Sequence, residues 1–151
     1  MLRSLFEGVQ EAWWPLEREL ALLQALQELY ALRDDERYEV FFSIDNVQGV
    51  SVPPLLFLPL LENALNHGSG EEAMSFELSA LGDVLELSLW NPGEFKGPRQ
   101  GGTGIETTRR RLALAYGDEA SLNVHSKSKQ KLRGTQATLR IPARSGVRSK
   151  R

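Results

Sequence analysis

Residues 52–68 read VPPLLFLPLLENALNHG, an apolar run that ends in a cluster of polar side chains. On a helix, Asn63 and His67 are four residues apart and share one face, and Asn66 lies beside Asn63 three residues further on. An amide oxygen suits Mg²⁺, which prefers oxygen ligands, and an imidazole can donate a hydrogen bond to a phosphate. The cluster therefore indicates a metal and phosphate site, although an exposed polar helix end is the simpler interpretation when the cluster is taken alone.

Two glycine-containing turns supply a context for this cluster. The sequence NPG at residues 91–93 follows a predicted strand, and GGTG at residues 101–104 precedes a predicted helix. Glycine lets a backbone approach a ligand closely, and the free N–H groups and dipole of a helix N-terminus favour an anion. The chain has neither the Walker pattern nor a strand–GxGxxG–helix unit. The combination therefore predicts a nucleotide phosphate site of another kind.

The spacing of apolar residues and turn formers predicts the order of helices and strands. Pro53 and Pro54 favour a helix start, because proline lacks the N–H that the first helical turn leaves unpaired. We expect helices over residues 16–32, 54–66 and 105–116. Strands are expected over residues 38–44, 74–80, 84–89, 120–126 and 135–141. This order predicts an α+β fold, a two-layer sandwich in which about three helices cover one face of a mixed sheet.

The composition indicates one folded domain. The chain has 151 residues, of which 41% are hydrophobic, and it contains no cysteine, which excludes disulfides and cysteine-based zinc sites. No apolar run reaches the roughly 20 residues of a transmembrane helix, so we expect a cytoplasmic location. All 20 acidic residues precede residue 120, whereas residues 120–151 hold 9 of the 18 lysines and arginines. A solvated basic hairpin and tail explains this asymmetry more simply than a nucleic-acid partner does.

The order and spacing of these motifs resemble the ATP-binding catalytic domain of sensor histidine kinases, a Bergerat-type fold shared with gyrase, heat-shock chaperones and mismatch-repair proteins. The resemblance is to the LytS type, which partners LytTR-type response regulators. Residues 52–68 resemble the family's N box, residues 91–93 its first glycine box, and residues 101–117 its second glycine box. The resemblance implies a catalytic domain over residues 13–142. Residues 1–12 are then the tail of an upstream dimerisation helix or a linker, and residues 143–151 a basic, disordered tail.

The resemblance implies a role for each matching residue. Asn63 ligates the Mg²⁺ that bridges the ATP phosphates, and Asn66 and His67 line the phosphate side. Asn91 accepts a hydrogen bond from the adenine amino group. The other implied ATP-binding residues are Gly93 and Thr135 near the adenine, and Gly102, Thr103 and Gly104 at the phosphates.

Several positions depart from the family pattern. Asn91 replaces the usual aspartate, and Asn66 stands where lysine is frequent. In the hydrolytic branches of this ATPase group, a glutamate four residues before the magnesium-binding asparagine activates water. That position is Pro59 here, and Glu62 is a poor substitute because neighbouring helical residues point about 100° apart. The sequence therefore predicts phosphoryl transfer rather than robust ATP hydrolysis.

The resemblance also predicts partners. A histidine kinase passes the ATP γ-phosphate to a histidine on a helical hairpin, and neither His67 nor His125 has the surroundings of that acceptor. We therefore expect a catalytic fragment of a homodimeric kinase, an upstream acceptor hairpin and a response regulator of the LytTR type. A degenerate nucleotide-sensing module and, less favourably, an ATP-hydrolysing switch are the alternatives. The arginines at residues 109–111 are either a solvated surface or a contact to phosphate or to the hairpin.

Overall fold

A computed structural model describes residues 13–34, 39–45, 47–67, 73–93 and 104–144 of the chain. Three α-helices lie within these residues: α1 (Leu16–Asp34), α2 (Leu58–His67) and α3 (Gly104–Tyr116), the last followed by a 3₁₀ turn (Gly117–Glu119). Seven strands lie there as well: β1 (Trp14–Pro15), β2 (Val40–Asp45), β3 (Ser51–Val52), β4 (Met74–Leu81), β5 (Val84–Pro92), β6 (Ser121–Ser126) and β7 (Gly134–Pro142).

The main sheet has five strands in the order β2-β4-β5-β7-β6. β2 runs parallel to β4, and the other neighbours are antiparallel. Because side chains alternate along a strand, one face of the sheet carries the apolar set and packs against the helices. Fully buried members of this core are Leu16, Leu23, Phe57, Leu61, Leu65, Phe76, Leu78, Leu85, Leu87 and Leu139. The predicted α+β sandwich with a mixed sheet and three helices is confirmed.

The predicted start of the second helix is wrong. Residues 54–57 form a turn, here called the 54–57 turn, and α2 begins only at Leu58. Leu55 has a φ of 61°, which no residue of a right-handed helix adopts. The backbone groups of this turn bind side chains of α1 and α3 instead of one another, and this outcome depends on distant parts of the chain that two prolines do not reveal.

A short ribbon that the sequence did not predict joins the start of the domain to the loop after β2. β1 pairs antiparallel with β3, with Trp14 opposite Val52. Pro15 ends this strand, and α1 begins at the next residue, Leu16, as predicted. β5 extends through Pro92, so the NPG turn begins inside the strand. Within the described residues, no helix is long and apolar enough to span a bilayer.

Candidate nucleotide site

The ends of two central strands bring three of the predicted residues together. Asn91 in β5 lies directly opposite Thr135 in β7. The Thr135 hydroxyl donates a hydrogen bond to the Gly93 carbonyl at 2.9 Å, and the Gly93 N–H donates to the Arg133 carbonyl at 3.0 Å. Gly93 has a φ of 122°, a conformation that glycine adopts readily and other residues rarely do. The glycine of the NPG turn is therefore required by the backbone itself.

Asn91 projects from the helix-covered face of the sheet and is 8% exposed. Its Nδ2 donates to the Pro92 carbonyl at 3.0 Å, which fixes the orientation of the amide. The Oδ1 atom is then the group that remains to accept a hydrogen bond from a ligand. The contact with an adenine amino group that the resemblance implies for Asn91 stays a prediction.

Asn63 lies on the side of α2 that faces the start of α3. It follows Pro59 by one helical turn, and the Pro59 carbonyl oxygen would lie 2.4 Å from a Cβ atom placed on Gly104, the first residue of α3. The first turns of the two helices are therefore in close contact, which only a glycine at residue 104 permits. Asn63 is half-buried, and its side chain makes no hydrogen bond to any residue that the structure describes. Its amide is available to a ligand beside the N-terminus of α3.

Asn66 points toward α1 rather than toward the start of α3. It is exposed, and its Oδ1 accepts a hydrogen bond from the Tyr30 hydroxyl at 2.8 Å. The amide oxygen is thus engaged, which leaves the Nδ2 group as the donor that a phosphate contact would use. A lysine at this position would supply a charge that Asn66 lacks, so any phosphate contact here is weaker than the family pattern implies.

Three other predicted residues lie partly or wholly outside what the structure describes. His67 is the last residue of α2, and its side chain is outside the described part. Gly102 and Thr103 also lie outside the described residues. Among those that are described, no group of three or more His, Cys, Asp or Glu residues could hold a metal ion.

A buried carboxylate that the sequence analysis missed holds the 54–57 turn. Glu19 of α1 is 0% exposed and accepts hydrogen bonds from Trp14 Nε1 at 2.9 Å and from the N–H groups of Leu55 and Phe57, both at 2.8 Å. Burial raises the pKa of Glu19 above 4.5, and these hydrogen bonds oppose the shift. The available signal was a charged residue on the apolar face of α1, three residues after Leu16 and four before Leu23.

The three consecutive arginines of α3 differ in their contacts. Arg111 donates to the carbonyls of Leu55 and Pro54, at 2.6 and 2.5 Å, and burial lowers its pKa. Arg109 donates to the Leu122 carbonyl of β6 from Nη2 at 3.1 Å. Arg110 is exposed and lies 3.8 Å from Glu106. The exposure of Arg109 and Arg110 agrees with the interpretation as a solvated surface, whereas the half-buried Arg111 fits neither interpretation because it binds two backbone carbonyls.

The sequence is similar to curated sensor kinases over nearly its whole length. It is 30% identical to the sensor protein LytS of Staphylococcus saprophyticus, over 93% of this chain and 26% of that protein. It is 28% identical to the sensor protein LytS of Bacillus cereus, over 95% of this chain and 27% of that protein. The chain thus spans about a quarter of the length of these relatives. No protein-family model matches it.

The fold is similar to solved catalytic domains of histidine kinases. The nucleotide-free catalytic domain of the histidine kinase ThkA superposes with a TM-score of 0.65 at 14% identity, over 87% of this chain and 96% of that domain. ThkA in complex with the response regulator protein TrrA superposes with a TM-score of 0.63 at 14% identity, over 97% of this chain and 47% of ThkA. The resemblance to the catalytic domain of LytS-type sensor histidine kinases is confirmed.

Proposed function

We propose that this chain is the Mg-ATP-binding catalytic domain of a sensor histidine kinase, which delivers the ATP γ-phosphate to a histidine on a dimerisation hairpin. The observation that carries the proposal is the position of Asn63, half-buried beside the first turn of α3, where backbone N–H groups and the helix dipole favour phosphate. The similarity to LytS proteins over more than nine-tenths of the chain supports the same assignment.

The adenine end of the site is built from β5 and β7. Asn91 Oδ1 accepts the hydrogen bond of the adenine amino group, while its Nδ2 stays bound to the Pro92 carbonyl. Thr135 holds Gly93 in place, so that the backbone can pass close to the purine ring. These residues orient the nucleotide without any charged group of their own.

The phosphate end of the site is built from α2 and α3. Asn63 supplies one oxygen ligand for Mg²⁺, and a magnesium ion there would neutralise charge on the β- and γ-phosphates. In this proposal Gly102, Thr103 and Gly104 offer N–H groups to the phosphates and His67 contributes its imidazole, whereas Asn66, whose Oδ1 is bonded to Tyr30, has only its Nδ2 group to offer. Pro59 occupies the position from which a carboxylate would activate water, so this site retains ATP for transfer to an acceptor.

The acceptor and the regulator are separate from this site. His125 is exposed on β6 and follows the inward-facing Val124, so it lies on the open face of the sheet, away from the helices. The acceptor histidine therefore belongs to the hairpin of a homodimeric, cytoplasmic kinase region. A response regulator, of the LytTR type, then receives the phosphate. This partnership is supported by the LytS similarity and by the ThkA complex with its regulator.

Phosphoryl transfer to a supplied hairpin tests this proposal. The chain is mixed with γ-labelled Mg-ATP and a histidine-bearing dimerisation hairpin, and label on the hairpin is followed over time. We expect the hairpin to be labelled by the unaltered chain and by the His125→Gln control, and to remain unlabelled with Asn63→Ala. Label on His125 itself, or equal transfer by Asn63→Ala, would count against the assignment.

A nucleotide-sensing module without transfer is the second candidate. It is favoured by the hydrogen bond between Tyr30 and Asn66, which engages the residue that stands in place of a lysine. Such a module would bind ATP and leave the hairpin unlabelled, so the same experiment separates the two functions.

A further inference from the structure

Leu55 is held from opposite sides by two helices. Its N–H donates to Glu19 of α1 at 2.8 Å, and its carbonyl accepts from Arg111 of α3 at 2.6 Å. Its φ of 61° is a left-handed conformation that is unfavourable for a leucine, because its Cβ comes too close to the following carbonyl oxygen. The 54–57 turn therefore keeps this shape because both side chains hold it there.

The same turn sets the first hydrogen bonds of α2. The Phe57 carbonyl accepts from the N–H groups of Leu60 and Leu61, at 3.1 and 3.2 Å, so Phe57 stands at the start of the helix. The Phe57 N–H donates to Glu19 Oε2 at 2.8 Å. Glu19 thus holds the residue from which α2 begins, and Asn63 lies six residues further along that helix.

The contact requires a carboxyl group with two acceptor oxygens on Glu19 and a planar fork of donors on Arg111. All three partners of Glu19 in these contacts are N–H donors, one on Oε2 and two on Oε1, so an amide NH₂ in place of either oxygen faces a donor. Arg111 reaches two successive carbonyls with two different nitrogens, a geometry that a lysine ammonium does not reproduce.

We propose that Glu19 and Arg111 are positioning residues of the nucleotide site, which act through the 54–57 turn to place Asn63 beside the N-terminus of α3. Arg111 stands on the helix whose first residue, Gly104, contacts the first turn of α2. The two side chains therefore fix the backbone that precedes α2, and they tie that backbone to α3, the helix beside which Asn63 lies. This inference rests on the proposed function. In it, the position of the metal ligand Asn63 depends on two residues that contact neither metal nor nucleotide.

Calorimetric titration with ATP, in Mg²⁺ and in chelator, tests the inference. The ratio of the two dissociation constants measures how much the metal, and hence its ligand Asn63, contributes to ATP affinity. The dissociation constant in chelator measures the affinity that the rest of the site provides. Glu19→Gln and Arg111→Lys should each reduce the Mg²⁺ contribution by about tenfold, the lower end of what loss of residues supporting a metal ligand costs. The affinity in chelator should stay within about twofold, well under one kcal/mol.

Matched controls lie on the same helices. Glu17→Gln on α1 and Arg110→Lys on α3 alter exposed neighbours of like charge, and both should keep the unaltered ratio. Titrations are made well below each variant's unfolding midpoint, and Arg111→Lys decides the matter if Glu19→Gln does not fold. Equal weakening with and without Mg²⁺, or an unchanged ratio, would overturn the inference alone. Absence of Mg-ATP binding by the unaltered chain would overturn the proposed function as well.

Discussion

Asn91 has an amide at the position where the family pattern has a carboxylate. Its Nδ2 bonds to the Pro92 carbonyl at 3.0 Å, an interaction that an aspartate could not make. The substitution therefore exchanges a charge for a fixed orientation of the amide, in which Oδ1 remains to accept a hydrogen bond. The sequence predicted that Asn91 can accept a hydrogen bond, but the contact that fixes the amide could not be predicted, because it depends on the backbone conformation at Pro92.

Removal of the Asn91 amide should reduce discrimination between purines. ATP presents an amino group to Oδ1, whereas inosine triphosphate presents an oxygen, which Oδ1 repels. Asn91→Ala should therefore weaken ATP binding by about two- to tenfold, the value of one hydrogen bond, and should strengthen rather than weaken the binding of inosine triphosphate. Competitive titration of the two nucleotides measures the ratio. Asn123→Ala, an exposed amide on β6, is the control, and an unchanged preference in Asn91→Ala would place the adenine elsewhere.

The 54–57 turn shows where local sequence rules give way to tertiary contacts. Two prolines predict a helix start four residues too early, because nothing nearby in sequence indicates that Glu19 and Arg111 take the backbone groups of the turn. The rest of α2 is helical as predicted, since the spacing of its apolar residues determines which face of the helix is buried. The position of Asn63 on that helix was thus predictable, whereas its setting against α3 was not.

The unfolding free energy should show a pH dependence that belongs to Glu19. Because burial raises its folded-state pKa above 4.5, its contribution is fully present below that value and is lost as the pH rises through the folded-state pKa. The hydrogen bonds that Glu19 accepts from Phe57 and Trp14 partly offset the effect of burial on this pKa. Denaturant unfolding at a series of pH values measures this, and the difference between the unaltered chain and Glu19→Gln should fall with rising pH. A difference independent of pH would show that Glu19 titrates alike in both states.

The hairpin of β6 and β7 covers Trp90 on the open face of the sheet. Trp90 is 1% exposed, its Nε1 donates to the Lys127 carbonyl at 2.8 Å, and Lys129 Nζ lies 4.8 Å above the ring. The predicted basic turn is confirmed, and its contact with Trp90 gives part of the positive charge a structural role. The sequence could not predict this contact, since the two segments are far apart in the chain.

Gly134 should tolerate no side chain beneath Trp90. A Cβ atom there would lie 2.3 Å from atoms of the indole ring, so Gly134→Ala should lower the unfolding free energy by about 1–3 kcal/mol, the usual cost of overpacking. Denaturant unfolding measures this cost. In a Trp90→Leu background the same substitution should cost clearly less, because the clashing atoms are gone. Equal costs in both backgrounds would mean that the ring does not limit the space at Gly134.

At the scale of the whole molecule, the candidate site residues come from both layers of the fold. β5 and β7 bring Asn91 and Thr135 together, and the helix layer brings Asn63 to the start of α3. The fold class and the motif order were predictable from sequence, because alternating apolar residues and turn glycines report local structure directly. The buried Glu19 and the Tyr30–Asn66 bond were not, since each joins segments that meet only in the folded chain.

The most direct test of Mg-ATP binding at Asn63 is a calorimetric titration of the chain with ATP, in Mg²⁺ and in excess chelator. The account predicts saturable binding that weakens when the metal is removed. In Asn63→Ala this metal dependence should be lost, while the control Glu62→Gln, an exposed neighbour on α2, should behave as the unaltered chain does. Absence of binding, equal affinity in chelator, or unchanged metal dependence in Asn63→Ala would contradict the account.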